Sequence, residues 1–87
     1  MQDQHQTAWI AASAVVDSSV RLDRWVNIQG GVKIGPWTHV EEYVFIREGA
    51  NIGFLCTIGR GSVIDPGVII PPETCILPFS HIKESLA

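Results

Sequence analysis

The sequence has few charged residues and no concentration of positive charge. Only 17% of its residues are charged, and six Lys and Arg residues against nine Asp and Glu residues give a net charge of −3. The six basic residues are scattered, so they form no stripe that could follow a phosphate backbone. We therefore expect no nucleic-acid partner.

Long apolar runs and closely spaced cysteines are also absent. No run approaches the roughly 20 apolar residues that span a bilayer, and the polar first seven residues lack the basic segment of a signal peptide. We therefore predict no membrane association and a cytoplasmic location. The two cysteines, Cys56 and Cys75, have no CxxC spacing and suit reduced thiols at least as well as a disulfide.

Apolar residues, in contrast, are plentiful for so short a chain. They make up 46% of the 87 residues. A chain of this length removes only about 60% of its unfolded surface from water when it folds, which is less than a larger domain removes. The chain has more aliphatic surface than a small monomer easily buries. This surplus favours an oligomer.

Aliphatic residues recur at every sixth position without an insertion or deletion. The thirteen positions are Ile10, Val16, Leu22, Ile28, Ile34, Val40, Ile46, Ile52, Ile58, Ile64, Ile70, Ile76 and Ile82. A period of six matches neither the 3.6 of an α-helix nor the 3.5 of a coiled coil. Short strands joined by corners fit it better, and a fixed period predicts a solenoid.

A second set of positions has the same period. Small or β-branched residues, such as Val20, Thr38 and Ser62, stand two positions before the aliphatic ones. Because strand side chains alternate between faces, both sets point inward. Pairs such as Gly30-Gly31 and Pro66-Gly67 lie between the strands and are typical of tight turns, so three strands close one coil of 18 residues.

The repeats at residues 34–39, 52–57 and 58–63 resemble the hexapeptide-repeat, or isoleucine-patch, superfamily, with its [LIV]-[GAED]-x-x-[STAV]-x pattern. The resemblance implies an all-β fold, a left-handed parallel β-helix of about four coils. We expect a polar tail over residues 1–8, the β-helix over 9–80 and a short cap over 81–87. Related proteins are mostly trimers, and the outward aromatic residues support a homotrimer here.

The same resemblance implies a candidate reaction. Acyltransferases of this superfamily use a histidine as general base, with acetyl-CoA in a cleft between subunits. His39 is the only histidine within the predicted coils, and Glu41 lies on the same face, where it would orient the ring. The alternative is that His39 is an ordinary surface or interface histidine without a catalytic role.

Two glycines are the candidate donor site. Gly35 and Gly53 form a column without side chains where the pantetheine arm of acetyl-CoA would approach the backbone, although hexapeptide repeats also prefer glycine there. We expect no covalently bound cofactor. We also expect no metal, because the HxxxxH pair of the zinc-dependent branch is missing.

Two functions therefore stay open. One is an acyltransferase-like protein that uses acetyl-CoA, and the other is a non-catalytic trimeric module for small-ligand or partner binding or for assembly. The absence of insertion loops between Ile10 and Ile82 favours the module, because such loops commonly shape acceptor pockets in this superfamily. Nothing in the sequence identifies the acceptor.

Overall fold

The computed structural model describes residues 7–86. Within this range the chain forms thirteen two-residue β-strands that begin every six residues and divide into three parallel sheets. The first face contains β1 (Trp9–Ile10), β4 (Asn27–Ile28), β7 (Phe45–Ile46), β10 (Val63–Ile64) and β13 (His81–Ile82). The second face contains β2 (Val15–Val16), β5 (Lys33–Ile34), β8 (Asn51–Ile52) and β11 (Ile69–Ile70). The third face contains β3 (Arg21–Leu22), β6 (His39–Val40), β9 (Thr57–Ile58) and β12 (Cys75–Ile76).

The strands stack in a constant register of one coil. Ile10 pairs with Ile28, which pairs with Ile46, so each aliphatic residue lies beside its equivalent in the next coil. The same register holds on the other two faces. The predicted fold is therefore confirmed as an all-β, left-handed parallel β-helix of about four coils.

The core consists of the two inward-pointing sets. From Leu22 to Ile76 every sixth aliphatic residue is at most 5% exposed, and the small residues from Val20 to Val68 are buried with them. At the ends of the stack, Ile10, Val16 and Ile82 are only partly buried. The residues between the two sets point outward, as the period of two along each strand requires.

Each corner is a four-residue turn whose third residue takes a positive φ from residue 25 onward. At the edge that joins the first face to the second, which we call the first edge, these residues are Gly31, Gly49 and Gly67. The second edge joins the second face to the third, and its positive-φ residues are Trp37, Leu55 and Glu73. The third edge joins the third face to the first, and its positive-φ residues with side chains are Trp25, Tyr43 and Phe79. A non-glycine residue in this conformation costs roughly 1–2 kcal/mol.

In the first coil, Ser19 stands at the third turn position of the second edge. Its hydroxyl accepts a hydrogen bond from the Trp37 N–H at 2.8 Å and donates one to Asp17 Oδ1 at 2.7 Å. The Ser19 N–H also donates to Asp17 Oδ1, and these bonds, the backbone one first, lower the pKa of the Asp17 carboxyl. A side-chain network thus anchors the strained Trp37 to the coil below.

The segment after β13 covers the open edge of the second face. The Ile69 N–H donates to Ser85 Oγ at 2.9 Å, and the Leu86 N–H donates to the Ile69 carbonyl at 3.0 Å. Pro71 follows the same strand and has no N–H to leave unpaired there. The chain therefore closes one of the three strand edges at this end of the stack.

We expect Thr38→Val to lower the free energy of unfolding by about 2 kcal/mol, because it leaves buried backbone groups unpaired. The Thr38 hydroxyl, in a side chain only 1% exposed, donates to the Gly53 carbonyl at 2.8 Å and accepts from the Cys56 N–H at 3.2 Å. Urea denaturation of the variant measures this effect. The matched control is Thr57→Val, since Thr57 points outward on the third face; an equal loss in both variants would contradict the role assigned to the buried hydroxyl.

Candidate functional site

The third face presents one column of outward side chains that crosses all four coils. Arg21, His39, Thr57 and Cys75 occupy equivalent positions of β3, β6, β9 and β12 and are in register with one another. His39 therefore lies in the second coil, directly above Arg21 and below Thr57. Its side chain is 32% exposed, so the ring is partly open to solvent.

His39 forms a hydrogen bond with a carboxylate from the coil below. Its Nε2 lies 3.0 Å from Asp23 Oδ2, and the Asp23 side chain is 27% exposed. When the neutral ring donates its Nε2–H to the carboxylate, Nδ1 carries the free lone pair. This arrangement fixes the tautomer and leaves one nitrogen able to accept a proton.

The partner of His39 differs from the one expected. Glu41 Oε1 instead accepts a hydrogen bond from the Arg60 N–H at 3.0 Å. Asp23 lies one coil below and two residues along, at a diagonal backbone distance of about 8 Å that is no shorter than the distance to Glu41, so the directions of the side chains and not backbone proximity set the pairing. The expectation that Glu41 orients the ring was wrong, and Asp23 has that position.

Arg21 adds a positive charge next to the pair. Its Nε lies 3.7 Å from Asp23 Oδ1, while the other carboxylate oxygen binds His39. The Arg21 side chain is 70% exposed, so solvent screens this contact strongly. The Asp23 carboxylate thus contacts both the guanidinium group of Arg21 and the imidazole of His39.

A second pair of the same kind lies on the first face. His81 Nε2 is 2.7 Å from Asp65 Oδ1, and the two residues have the same separation of 16 positions as His39 and Asp23. A coil has 18 residues, and each aspartate stands two residues after the position directly below its histidine, which leaves a separation of 16. The same separation therefore recurs wherever an aspartate follows the strand that lies one coil below a histidine. It could have been found in the sequence, and it shows that the geometry alone does not mark a catalytic site.

The stacking of coils explains the glycines of the proposed donor site. A Cβ on Gly35 would lie 2.9 Å from the carbonyl carbon of Gly53, and a Cβ on Gly53 would lie 2.6 Å from the nitrogen of Pro72. The space that a side chain would need is therefore filled by the backbone of the next coil. Binding of a pantetheine arm at these residues stays a prediction, and their conformation does not require it.

Exposed apolar side chains gather at the two edges that border the third face. The third edge presents Trp25, Tyr43, Leu77 and Phe79. The second edge presents Trp37, Phe54 and Leu55. The candidate site on the third face therefore lies between two apolar ridges.

Residues 7–86 contain neither a cluster of metal ligands nor a membrane-spanning helix. Across that range, no three His, Cys, Asp or Glu residues come together in a group that could hold a metal ion. The described part of the chain also has no helix of the length and hydropathy needed to cross a membrane. Both thiols are free, with Cys56 buried and Cys75 exposed.

The fold is similar to that of a solved acetyltransferase. The crystal structure is that of a variant of GDP-perosamine N-acetyl transferase from Caulobacter crescentus, with one histidine replaced by alanine, in complex with CoA and GDP-perosamine. The two chains have 24% sequence identity and superpose with a TM-score of 0.60. The match covers 92% of this chain but 50% of the other, so this chain spans about half the length of that protein.

Protein-family models and curated proteins gave no match to this chain. The structural likeness therefore shows the fold alone, a parallel β-helix.

Proposed function

We propose that the protein is an acyltransferase-like hexapeptide protein that transfers an acetyl group from acetyl-CoA, with His39 as general base. The observation that carries the proposal is the position of the His39–Asp23 pair, joined at 3.0 Å on the third face between the two apolar edges, a setting that the His81–Asp65 pair on the first face lacks. It is supported by the similar fold of an acetyltransferase whose structure contains CoA.

The proposed base is the Nδ1 atom of His39. An amine or hydroxyl of the acceptor attacks the thioester carbonyl of acetyl-CoA, and Nδ1 takes the proton that the attacking atom loses. The collapse of the tetrahedral intermediate releases the CoA thiolate, which takes a proton from the imidazolium. Asp23 is a positioning residue in this scheme, because its carboxylate stabilises the charged ring and keeps Nδ1 turned away from it.

The proposed assembly is a homotrimer. A small domain with this much exposed apolar surface favours self-association, and a cleft between subunits would provide the walls that a flat prism face lacks. The acetyl-CoA donor is proposed to bind in that cleft, with the column at Gly35 and Gly53 as one candidate wall. We propose a cytoplasmic location on the basis of the sequence.

The acceptor is proposed to be a small molecule that carries an amine or a hydroxyl. An amino sugar linked to a nucleotide is the first candidate, because the similar acetyltransferase was solved with GDP-perosamine. The regular strands offer no inserted loop between β1 and β13, so the acceptor would be held by the faces and edges themselves.

Calorimetric titration of acetyl-CoA into the purified protein tests the donor. We expect saturable binding with a dissociation constant in the micromolar to millimolar range, as is ordinary for enzyme substrates. Release of free thiol upon addition of amino-sugar nucleotides then tests transfer. Absence of binding at millimolar acetyl-CoA would eliminate this donor.

The non-catalytic module is the second candidate. The uninterrupted strand order from Trp9 to Ile82 favours it, because no inserted segment shapes an acceptor pocket. In that case the protein binds CoA or a sugar nucleotide with the same affinity before and after His39→Ala substitution, and no thiol is released.

A further inference from the structure

The third edge presents an aromatic column that runs along the prism axis. Its positive-φ turn position holds, in successive coils, Trp25, Tyr43, Gly61 and Phe79. The three aromatic side chains are 54%, 62% and 75% exposed. Glycine adopts such angles without steric cost, as it does along the first edge. Strain that persists where glycine was available points to a role for the aromatic side chains beyond the turn itself.

Gly61 does not interrupt the column, because the ring of Phe79 lies over it. A Cβ on Gly61 would lie 2.6 Å from both Cδ1 and Cε1 of Phe79. The ring of Phe79 therefore extends from the fourth coil towards the third and fills the place that a side chain at Gly61 would take. The aromatic surface thus continues from the first coil to the fourth.

A charged column lies beside the rings. The turn position before each of them carries, in the first three coils, Arg24, Glu42 and Arg60. The Nε of Arg60 lies 4.0 Å from Glu42 Oε1, which is beyond hydrogen-bond distance. Guanidinium and carboxylate groups thus supply donors and acceptors in alternation along the axis. A ligand that suits this edge has flat apolar faces for the rings and many small polar groups beside them.

The second edge does not combine these features. Its exposed large side chains are apolar and are those of Trp37, Phe54 and Leu55. The turn position before its positive-φ residues carries Pro36, Phe54 and Pro72, so it has no charged column. Apolar surface is therefore common to both edges, whereas aromatic rings beside alternating charges are found on the third edge.

The axial spacing of the column matches a sugar chain better than a peptide. Adjacent coils are about 4.8 Å apart, which is close to the length of one pyranose unit in an extended β-linked glycan. An extended strand advances about 3.3 Å per residue and a polyproline helix about 3.1 Å, so neither places one residue at each coil. Pyranose units also present flat C–H faces, and their hydroxyl groups both donate and accept hydrogen bonds.

We propose that the third edge binds an extended β-linked glycan, with one pyranose unit for each coil. The glycan runs parallel to the prism axis, with its flat faces on the aromatic column and its hydroxyl groups on the charged column. This site is separate from the position of the acceptor at His39. The inference goes beyond the acetyl transfer proposed above and does not depend on it.

Calorimetric titration with cello- and chito-oligosaccharides of increasing length tests the site. We expect the affinity to rise from the disaccharide to the chain that spans the three rings and then to level off, because further units extend past the ends of the column. Tyr43→Gly should weaken the binding of the tetrasaccharide about 3- to 10-fold through the loss of one ring. Absence of binding for both cellotetraose and chitotetraose at millimolar concentration, or an affinity that does not depend on length, would overturn the inference.

Trp37→Gly on the second edge is the matched control. Trp37 and Tyr43 have φ of 62° and 64°, so glycine fits both positions, and both variants are expected to keep the circular dichroism spectrum of the parent. Trp37→Gly should leave the affinity for the tetrasaccharide unchanged, and an equal loss in both variants would count against the third edge. Sedimentation equilibrium separates the other occupant: if Tyr43→Gly lowers the mass of the assembly, the third edge is a contact between copies and the glycan site is excluded.

Gly61→Ala tests the continuity of the column without removal of a ring. The added methyl group displaces the ring of Phe79, which can rotate away, so the variant is expected to fold while its binding of the tetrasaccharide weakens. An unchanged affinity would overturn the continuous column. A protein that binds the oligosaccharides but releases no thiol from acetyl-CoA would keep the glycan site and lose only the proposed reaction.

Discussion

Replacement of His39 by alanine is expected to lower kcat for acetyl transfer by about 10²- to 10⁴-fold, the usual contribution of a general base. The Nε2 of His39 is bound to Asp23, so the substitution removes Nδ1, the nitrogen proposed to take the proton of the acceptor. Binding of acetyl-CoA should change little, because the ring acts on the acceptor's proton. Thiol release under saturating substrates, with calorimetry for donor binding, separates the two effects.

The chain itself contains the matched control for this prediction. His81 forms a similar hydrogen bond with Asp65, at 2.7 Å on the first face, and His81→Ala should keep nearly full activity. Asp23→Asn should give a smaller loss of kcat than His39→Ala, because an amide can still hydrogen-bond the ring but no longer requires its Nε2–H tautomer. Equal activity of the His39→Ala variant and the parent would exclude His39 as the base.

The variant Gly59→Ala is expected to be destabilised by about 3 kcal/mol, because overpacking forces the backbone to shift. A Cβ at Gly59 would lie 2.4 Å from the Pro78 nitrogen and 2.6 Å from the Ile76 carbonyl oxygen. These atoms belong to the backbone of the next coil and cannot rotate away as a side chain would. In a domain of this size the loss corresponds to a fall in Tm of roughly 15 °C, which thermal denaturation followed by circular dichroism detects.

Gly67→Ala provides the comparison. A Cβ there meets nothing within 4 Å, but Gly67 has a φ of +73°, so the alanine pays only the cost of the left-handed conformation, about 1 kcal/mol. If the two variants lost equal stability, the close approach of the coils at Gly59 would not raise the cost of an added methyl group, and this explanation of Gly59 would be wrong. The comparison also bears on Gly35 and Gly53, whose missing side chains have the same structural explanation.

The sequence predicted the scaffold because a solenoid repeats local information. Every sixth residue from Ile10 to Ile82 is aliphatic, and the strand that contains it follows from alternation and turn residues alone. The stacking register then follows from three strands per coil. Even the exposed columns, such as Trp25 and Tyr43 on one edge, follow from this register.

The partner of His39 needed the third dimension. Asp23 and Glu41 are both outward residues of the third face, and the sequence favoured Glu41 because it is nearer along the chain. The pairing with Asp23 depends on the direction of each side chain, because by backbone spacing Asp23 is no nearer to His39 than Glu41 is. The period of six does not show these directions.

The sequence and the tertiary structure determined different features of this protein. The sequence alone predicted the β-helix, its core and its columns, because a period of six fits neither an α-helix nor a coiled coil, whereas short strands joined by turns bury every sixth residue. Only the tertiary structure decided that His39 binds Asp23, that Gly35 and Gly53 make room for the next coil, and that residues 85 and 86 cover the edge at Ile69. These contacts join residues about one coil apart, so they depend on how adjacent coils sit on each other and not on the residues within one repeat.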